Sequence, residues 1–398
     1  MAISSCEISE KFSIFSYGFR PFFLAAGVYA ILPLIPWLLF LQGVIEPSIP
    51  LQVWHAHEML FGFVAAGICG FLLSAIPNWT KTPALTGKDL KILLALWIGG
   101  RIAFWLFLFF DNPFFGYLLF IDMLLPIAQL IHVSHVLISA NNDRNYIFIG
   151  ILLFLALANF MIILDMNELG VFPSGSGALF AINIIMITLS VVGGRIIPNF
   201  TRNYLKQKNS AYKIGKLPLI EKPALFLLVL MAIIDLALPH SILSYIIALL
   251  AFVVHFIRFS RWGFHKVLDS PIIWVLHLAY FLMILALFLK ALEGIADVPF
   301  NLYLHCFSVG SIGVFMLAIM SRASLGHTGR ELRVKKIIIV SFVMVLLSAV
   351  SRVIAPFFPV IFTSVMALSI SLWVVAYVVF LKVYIPIVIN PRVDGKPG

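Results

Sequence analysis

The stretch YIFIGILLFLALANFMIILD, Tyr146–Asp165, decides the fold class, because it runs for twenty residues without a charge before its last position. A helix of about 20 apolar residues crosses the roughly 30 Å hydrocarbon core of a bilayer. Eleven further runs of this kind lie near 21–42, 53–76, 90–110, 114–139, 177–198, 223–240, 242–259, 272–292, 300–321, 337–357 and 359–385. Helix-breaking residues separate them, among them Pro77, Pro83, Asn112-Pro113, Asn141-Asn142, Pro173, Pro218, Pro239, Pro271, Pro299, Pro356 and Pro359. The expected fold is all-α: a polytopic membrane helical bundle of twelve transmembrane helices.

Composition agrees. The 398 residues are 62% hydrophobic and 11% charged, against about 45–50% and 25% in soluble domains. So few charges cannot cover a soluble enzyme or a nucleic-acid binder, and no nucleic acid is expected as a partner. The three cysteines, Cys6, Cys69 and Cys306, are too few and too scattered for a disulfide framework.

The net charge of +10 and the pI near 9.5 report topology. If the runs alternate across the membrane, 23 of the 27 Lys and Arg residues fall on one side, and Lys290 stands alone on the other. Arg101, Arg195 and Arg352 lie inside spans. The positive-inside rule makes the basic side cytoplasmic, with both termini there. The first run lacks a small-residue cleavage site and is too long for a signal-peptide core, so it reads as a permanent helix. The chain reads as a single integral membrane domain, 1–398, with two six-helix halves, about 1–199 and 223–398, joined by the basic loop 199–222. Gly99-Gly100-Arg101-Ile102 recurs as Gly193-Gly194-Arg195-Ile196 in the opposite orientation. Among 25 glycines, chance explains this more simply than an inverted repeat.

Ionisable residues inside spans cost several kcal/mol or more and mark function by default. His55, His57 and His305 fall near the outer face, while His132, His135, His255 and His277 fall near the inner one. His55 and His57 point about 200° apart on a regular helix, so one ion binds both only where the helix begins or unwinds. Imidazole suits copper, iron or zinc, and Glu58 stands ready to orient or ligate. The plain alternative is an interfacial pair hydrogen-bonded to headgroups or to Glu58. His132 and His135 share one helix face, as two ligands or two packed polar contacts would. His277, flanked by Trp274, Leu276, Leu278 and Tyr280, is the most attractive haem ligand, although a lone intramembrane histidine also serves as a helix-to-helix hydrogen bond. Arg101 and Arg195, each beside Gly-Gly, suit a carboxylate such as a haem propionate, or else an ion pair with Asp122, Asp235 or Glu58, or snorkelling to water. Arg352 and Asp235 read as a structural pair at the outer face. The loop Ser321–Arg330, with His327 and Arg330, could cradle an anion or close a cofactor edge, or simply be a basic loop.

Several of these motifs carry a resemblance. Phe15-Ser16-Tyr17-Gly18-Phe19-Arg20-Pro21-Phe22-Phe23 resembles the entry motif of the NnrS family, and Trp54-His55-Ala56-His57-Glu58-Met59-Leu60-Phe61-Gly62 is similar to its most recognisable signature. Pro77-Asn78-Trp79-Thr80, Gly193-Gly194-Arg195-Ile196-Ile197-Pro198-Asn199-Phe200-Thr201-Arg202-Asn203, and the stretch from His305 through Ser324-Leu325-Gly326-His327-Thr328-Gly329-Arg330 also match, in order along nearly the whole chain. The resemblance implies a twelve-helix bacterial inner-membrane protein containing haem and copper and associated with the nitric oxide response. Under it, His55, His57 and His305 are expected to bind metal, and His277 becomes the leading haem ligand. Arg101, Arg195, His327 and Arg330 are further cofactor contacts. The cofactors expected are haem b and copper, with nitric oxide and the lipid bilayer as partners.

His277 and His305 lie in adjacent spans at opposite faces, on the order of 15 Å apart along the membrane normal. An outer and an inner centre therefore fit better than one binuclear pocket. A nitric oxide reductase would also need an electron donor, with Glu58 as the catalytic proton carrier. The competing expectation is a secondary transporter or exporter of a metal or an iron–nitrosyl species, which would purify colourless.

Overall fold

The computed structural model describes residues 13–110, 112–215, 218–296 and 298–395. Cys6, Lys11, Asp111, Lys216, Asp297 and Lys396 lie outside the described residues. No strand occurs among the described residues. Eleven helical segments are long and apolar enough to cross a membrane: α1 Phe19–Leu41, α2 Leu51–Thr80, α3 Gly87–Phe109, α4 Pro113–Ser139, α5 Asp143–Met166, α6 Ser176–Gln207, α8 Ile242–Lys266, α9 Pro271–Glu293, α10 Asn301–His327, α11 Lys336–Phe357 and α12 Pro359–Ile389. A twelfth long helix, α7 Pro218–Ala237, carries Glu221, Lys222 and Asp235 and completes the bundle.

Local chemistry sets the ends. Asn112 caps α4 by accepting from the Phe114 N–H at 2.9 Å, with Pro113 in the first turn. Ser241 caps α8 in the same way through Ser244 N–H. Gly175 precedes α6 at φ 82°, where a side chain would be strained. Pro33 and Pro36 break α1 into a short 3-10 turn.

Helices adjacent in sequence pack side by side, and α12 closes the ring on α1. The closure is polar at both depths: Ser13 N–H donates to Ile389 O at 2.8 Å, Arg20 donates to Val388 O and Asn390 O at 2.5 and 2.8 Å, and the Trp373 indole donates to Ala30 O at 2.7 Å. Burial then singles out every fourth helix. The apolar windows of α2, α6 and α10 are 72%, 72% and 78% buried, whereas the others range from 28% to 50% apart from α9 at 61%. All three inner helices run from the outer to the inner face. In lipid, burial of this kind is stabilised by close packing and interhelical hydrogen bonds rather than by transfer from water. Tyr377 O–H to Gly313 O at 3.0 Å and Ser311 O–H to Ala279 O at 2.7 Å are examples.

Both α2 and α10 contain a π-helical turn, Glu58–Val64 and Cys306–Ile312, each starting immediately after a histidine. Such turns insert a residue into the helix and recur at functional sites. The expected pair of Arg352 with Asp235 is not formed. Asp235 instead meets Lys290 at 3.1 Å, Ser244 and Asn183. Lys290, read from sequence as the lone basic residue of the outer side, is buried on α9 beside Asp235, while Arg352 on α11 lies within electrostatic reach of His55 and His305.

Candidate functional site

The outer half of α1–α5 encloses an ionic network. Arg101 donates one terminal nitrogen to Glu58 and the other to Asp122. Tyr29 donates its hydroxyl to Glu58, and Asn159 donates to Asp122 Oδ2 at 2.9 Å. His57 contacts Glu58 Oε1 at 3.0 Å through Nδ1, and Asn159 Oδ1 at 2.8 Å and Asp122 Oδ2 at 3.3 Å through Nε2. Its ring lies flat on Phe104, with centroids 3.5 Å apart. None of the four titratable groups His57, Glu58, Arg101 and Asp122 is more than 4% exposed. Indole donors fix the surrounding backbone and Tyr29: Trp54 to Phe104 O, Trp97 to Gly62 O and Trp105 to Tyr29 Oη. Arg101 therefore spends both terminal nitrogens on carboxylates of the protein itself and keeps a buried, unpartnered Nε, and both nitrogens of His57 are engaged.

His55, one face away on the same unbroken turn, belongs elsewhere. It lies within electrostatic reach of His305 and of Arg352, at the outer ends of α10 and α11. Its Nδ1 is buried without a partner, as are Arg352 Nη1 and Asn301 Oδ1, while His305 Nδ1 hydrogen-bonds Asn301 O at 2.7 Å. The structure thus places His55 within electrostatic reach of His305 and Arg352, while both nitrogens of His57 are taken up by the network. Among the described residues no three His, Cys, Asp or Glu side chains converge as a metal cage.

At the inner face, His277 is buried with Nε2 at 2.9 Å from Thr201 Oγ1 and Nδ1 unpartnered. Phe259, Trp262 and Phe264 box its ring. His255 has both nitrogens engaged, by Tyr280 at 2.7 Å and Ala224 O at 3.2 Å. His135 is exposed. His327 differs from all of these: stacked on Phe19 at 5.2 Å, it borders a cavity of about 300 Å³ with Arg322, Phe200 and Phe71. The chain end closes over it, where Arg392 donates to His327 O at 2.8 Å. Arg330 keeps a buried, unpartnered Nη1 nearby, and Arg195 donates to Asn145 Oδ1 at 2.6 Å and to Arg144 O.

Between the outer and inner groups the three inner helices leave an apolar crevice lined by Gly67, Phe71, Leu189 and Met316. It shares Phe23, Phe71 and Ile319 with the His327 cavity. A Cβ at Gly67 would overlap the end of the Met316 side chain, so the missing side chain is what makes room for Met316 at the crevice wall.

A ring of apolar helices with a buried ionic network among α1–α5 and histidines at both depths defines a polytopic membrane protein. Residues 13–392 match the family model described as NnrS protein, nearly the whole chain, and the protein belongs to the NnrS family. Membership supports a membrane protein of the nitric oxide response. No curated protein matches the chain.

Sequence reasoning missed three parts of the site. Asn159 is a single polar residue in the run that opened the reading, and it ties His57 to Asp122. Tyr29 carries no pattern that separates it from a packed aromatic. The π turns leave no periodic signal in a helix that is apolar on all sides.

Proposed function

We propose that this protein binds haem and copper in the bacterial inner membrane and uses them to bind and detoxify nitric oxide, with reduction possible where an electron donor is present. What supports the reading is the division of the histidines between the outer face, where His55 lies within electrostatic reach of His305, and an inner ring, His327, bordering a cavity that shares Phe23, Phe71 and Ile319 with an apolar crevice. Copper would be held by His55 and His305, since imidazole nitrogen suits copper and the buried Nδ1 of His55 has no other partner. Haem would supply a gas-binding iron at the inner face. About 300 Å³ is the lower end of cofactor pocket sizes, and Arg322 beside His327 suits a propionate. His277 remains the second candidate ligand: its Nδ1 is unpartnered, but Trp262 or Phe264 must turn aside to admit a macrocycle.

Nitric oxide is small and apolar, so the crevice, lined by apolar side chains and sharing Phe23, Phe71 and Ile319 with the inner cavity, would hold it beside the inner site. Glu58, with His57, Asp122 and Tyr29, holds a hydrogen-bonded chain able to carry a proton at the outer face. The test is cofactor content in single variants of the full-length protein. H327A is expected to lose haem and keep copper. H305A and H55A should lose copper and keep haem, and H57A should keep both while losing stability. Haem retained in H327A but lost in H277A would move the iron to His277, and a colourless wild-type protein expressed with ample haem and copper would refute the reading in favour of transport.

A further inference from the structure

We propose that a second cavity at the cytoplasmic face, separate from the histidine sites, binds the phosphate head of an anionic phospholipid. The cavity is about 780 Å³, between the inner ends of α2, α5, α6 and α8. Five arginines line it, Arg144, Arg195, Arg202, Arg258 and Arg261, against one carboxylate, Glu221. Among the described residues only Arg258 of the five is ion-paired, to half-exposed Glu221 at 2.5 Å. The positive-inside rule accounts for cations in loops, but Arg195 and Arg258 belong to helices and are held inward.

Arg258 is 7% exposed, donates to Ser190 O and Oγ at 3.1 Å and to Tyr280 Oη at 2.8 Å, and keeps a buried, unpartnered Nε. Its guanidinium occupies the space where a Cβ on Gly194 would stand. The acceptors that aim Arg195, Asn145 Oδ1 and Arg144 O, are neutral and leave its charge uncompensated. Planar guanidinium groups without carboxylate partners match phosphate oxygens in bidentate fashion, and basic pockets between helices at the cytoplasmic face recognise lipid headgroups.

The apolar side of the cavity favours a lipid over a soluble phosphate. Phe71, Phe148 and Val192 line both this cavity and the central crevice, so an acyl chain entering behind the headgroup finds continuous apolar surface. No histidine, cysteine or methionine lines the cavity, which separates it from the metal reading.

The experiment uses full-length protein purified in mild detergent, stripped of lipid and titrated with phosphatidylglycerol, phosphatidylcholine or pyrophosphate, read by native mass spectrometry and thermal melting. One phosphatidylglycerol should bind at least tenfold more tightly than phosphatidylcholine. R202Q/R261Q, at two exposed positions without ion pairs, should weaken it about tenfold, and K335Q/K336Q on the same face should leave it unchanged. R195K keeps the charge and loses the fork, and should weaken binding severalfold. Equal phosphatidylglycerol binding by wild type and R202Q/R261Q would overturn the proposal. So would haem rather than lipid lost from that variant, or protection by pyrophosphate alone, which would assign the arginines to a soluble ligand.

Discussion

Replacing Arg101 with methionine removes the one cation that faces both Glu58 and Asp122, at similar side-chain length. Breaking a buried ion pair by deleting one partner costs about 3–5 kcal/mol, because a charge is left without compensation in a low-dielectric interior. Here two carboxylates are left, but each keeps other donors: Tyr29 for Glu58, Asn159 for Asp122, and His57 within reach of both. These contacts hold the expected loss near one broken pair, about 4 kcal/mol, or roughly a thousandfold in the folded-to-unfolded ratio. Unfolding by increasing SDS in mixed micelles, followed by far-ultraviolet circular dichroism, measures it. The triple variant E58Q/R101M/D122N has the same truncation and no orphaned charge, so it should recover more than half of the loss. A loss in R101M of only about 1 kcal/mol, the scale of an exposed pair, would refute the buried-network reasoning, as would a triple variant less stable than R101M.

G67V pushes the flexible end of Met316 into the crevice. If the protein holds haem as proposed, the variant should slow nitric oxide binding to the reduced haem severalfold at unchanged haem content, measured by flash photolysis. At the cytoplasmic surface the Lys208 ammonium holds the Asp269 carboxyl below its usual range. That contact favours the folded protein above the ordinary aspartate value of about 3.9 and loses its contribution as pH falls through the lower folded value. With both groups more than half exposed the contribution is small, so D269N should lower the melting temperature slightly at neutral pH and flatten the acid limb of the thermal-melting profile.

The helix count and its boundaries were legible because a bilayer imposes length and apolarity, two quantities a sequence states directly. Charge side was legible for the same reason, with Lys290 as the exception: its position at the outer end of a span looks like a loop residue until α7 brings Asp235 beside it. Pairing was harder to read. The alternatives offered for Arg101 included both of its actual partners, since depth narrows the choice to carboxylates at one level. For Asp235 depth left two cations in reach, and only the order of helices around the ring selects Lys290 over Arg352. The separation of His55 from His57 followed from helix geometry. That His305 lies within electrostatic reach of the first depended on the packing of α10 in the bundle, which sequence depth alone does not give.

The three inner helices explain why chemistry sorts by depth in this bundle. On α2 the polar segment ends at Glu58 and the apolar, glycine-bearing segment begins within the π turn. On α10, His305 precedes a π turn that leads to Gly313 and Met316. An inserted residue rotates everything beyond it by about 100°, so one helix presents histidine to an outer neighbour and a smooth face to the centre without a break in its backbone hydrogen bonding. The His57–Glu58–Arg101–Asp122 network is thereby kept in the outer half and buried Arg20 and Arg258 at the inner face, and the crevice between them is lined by apolar side chains. A metal at His55 and His305 and an iron at His327 would lie on opposite sides of that crevice. They could exchange electrons but could not share one nitric oxide molecule. H305A should therefore leave the spectrum of the ferrous–nitrosyl haem unchanged while abolishing copper, and a changed spectrum would mean that the two centres meet in a single pocket.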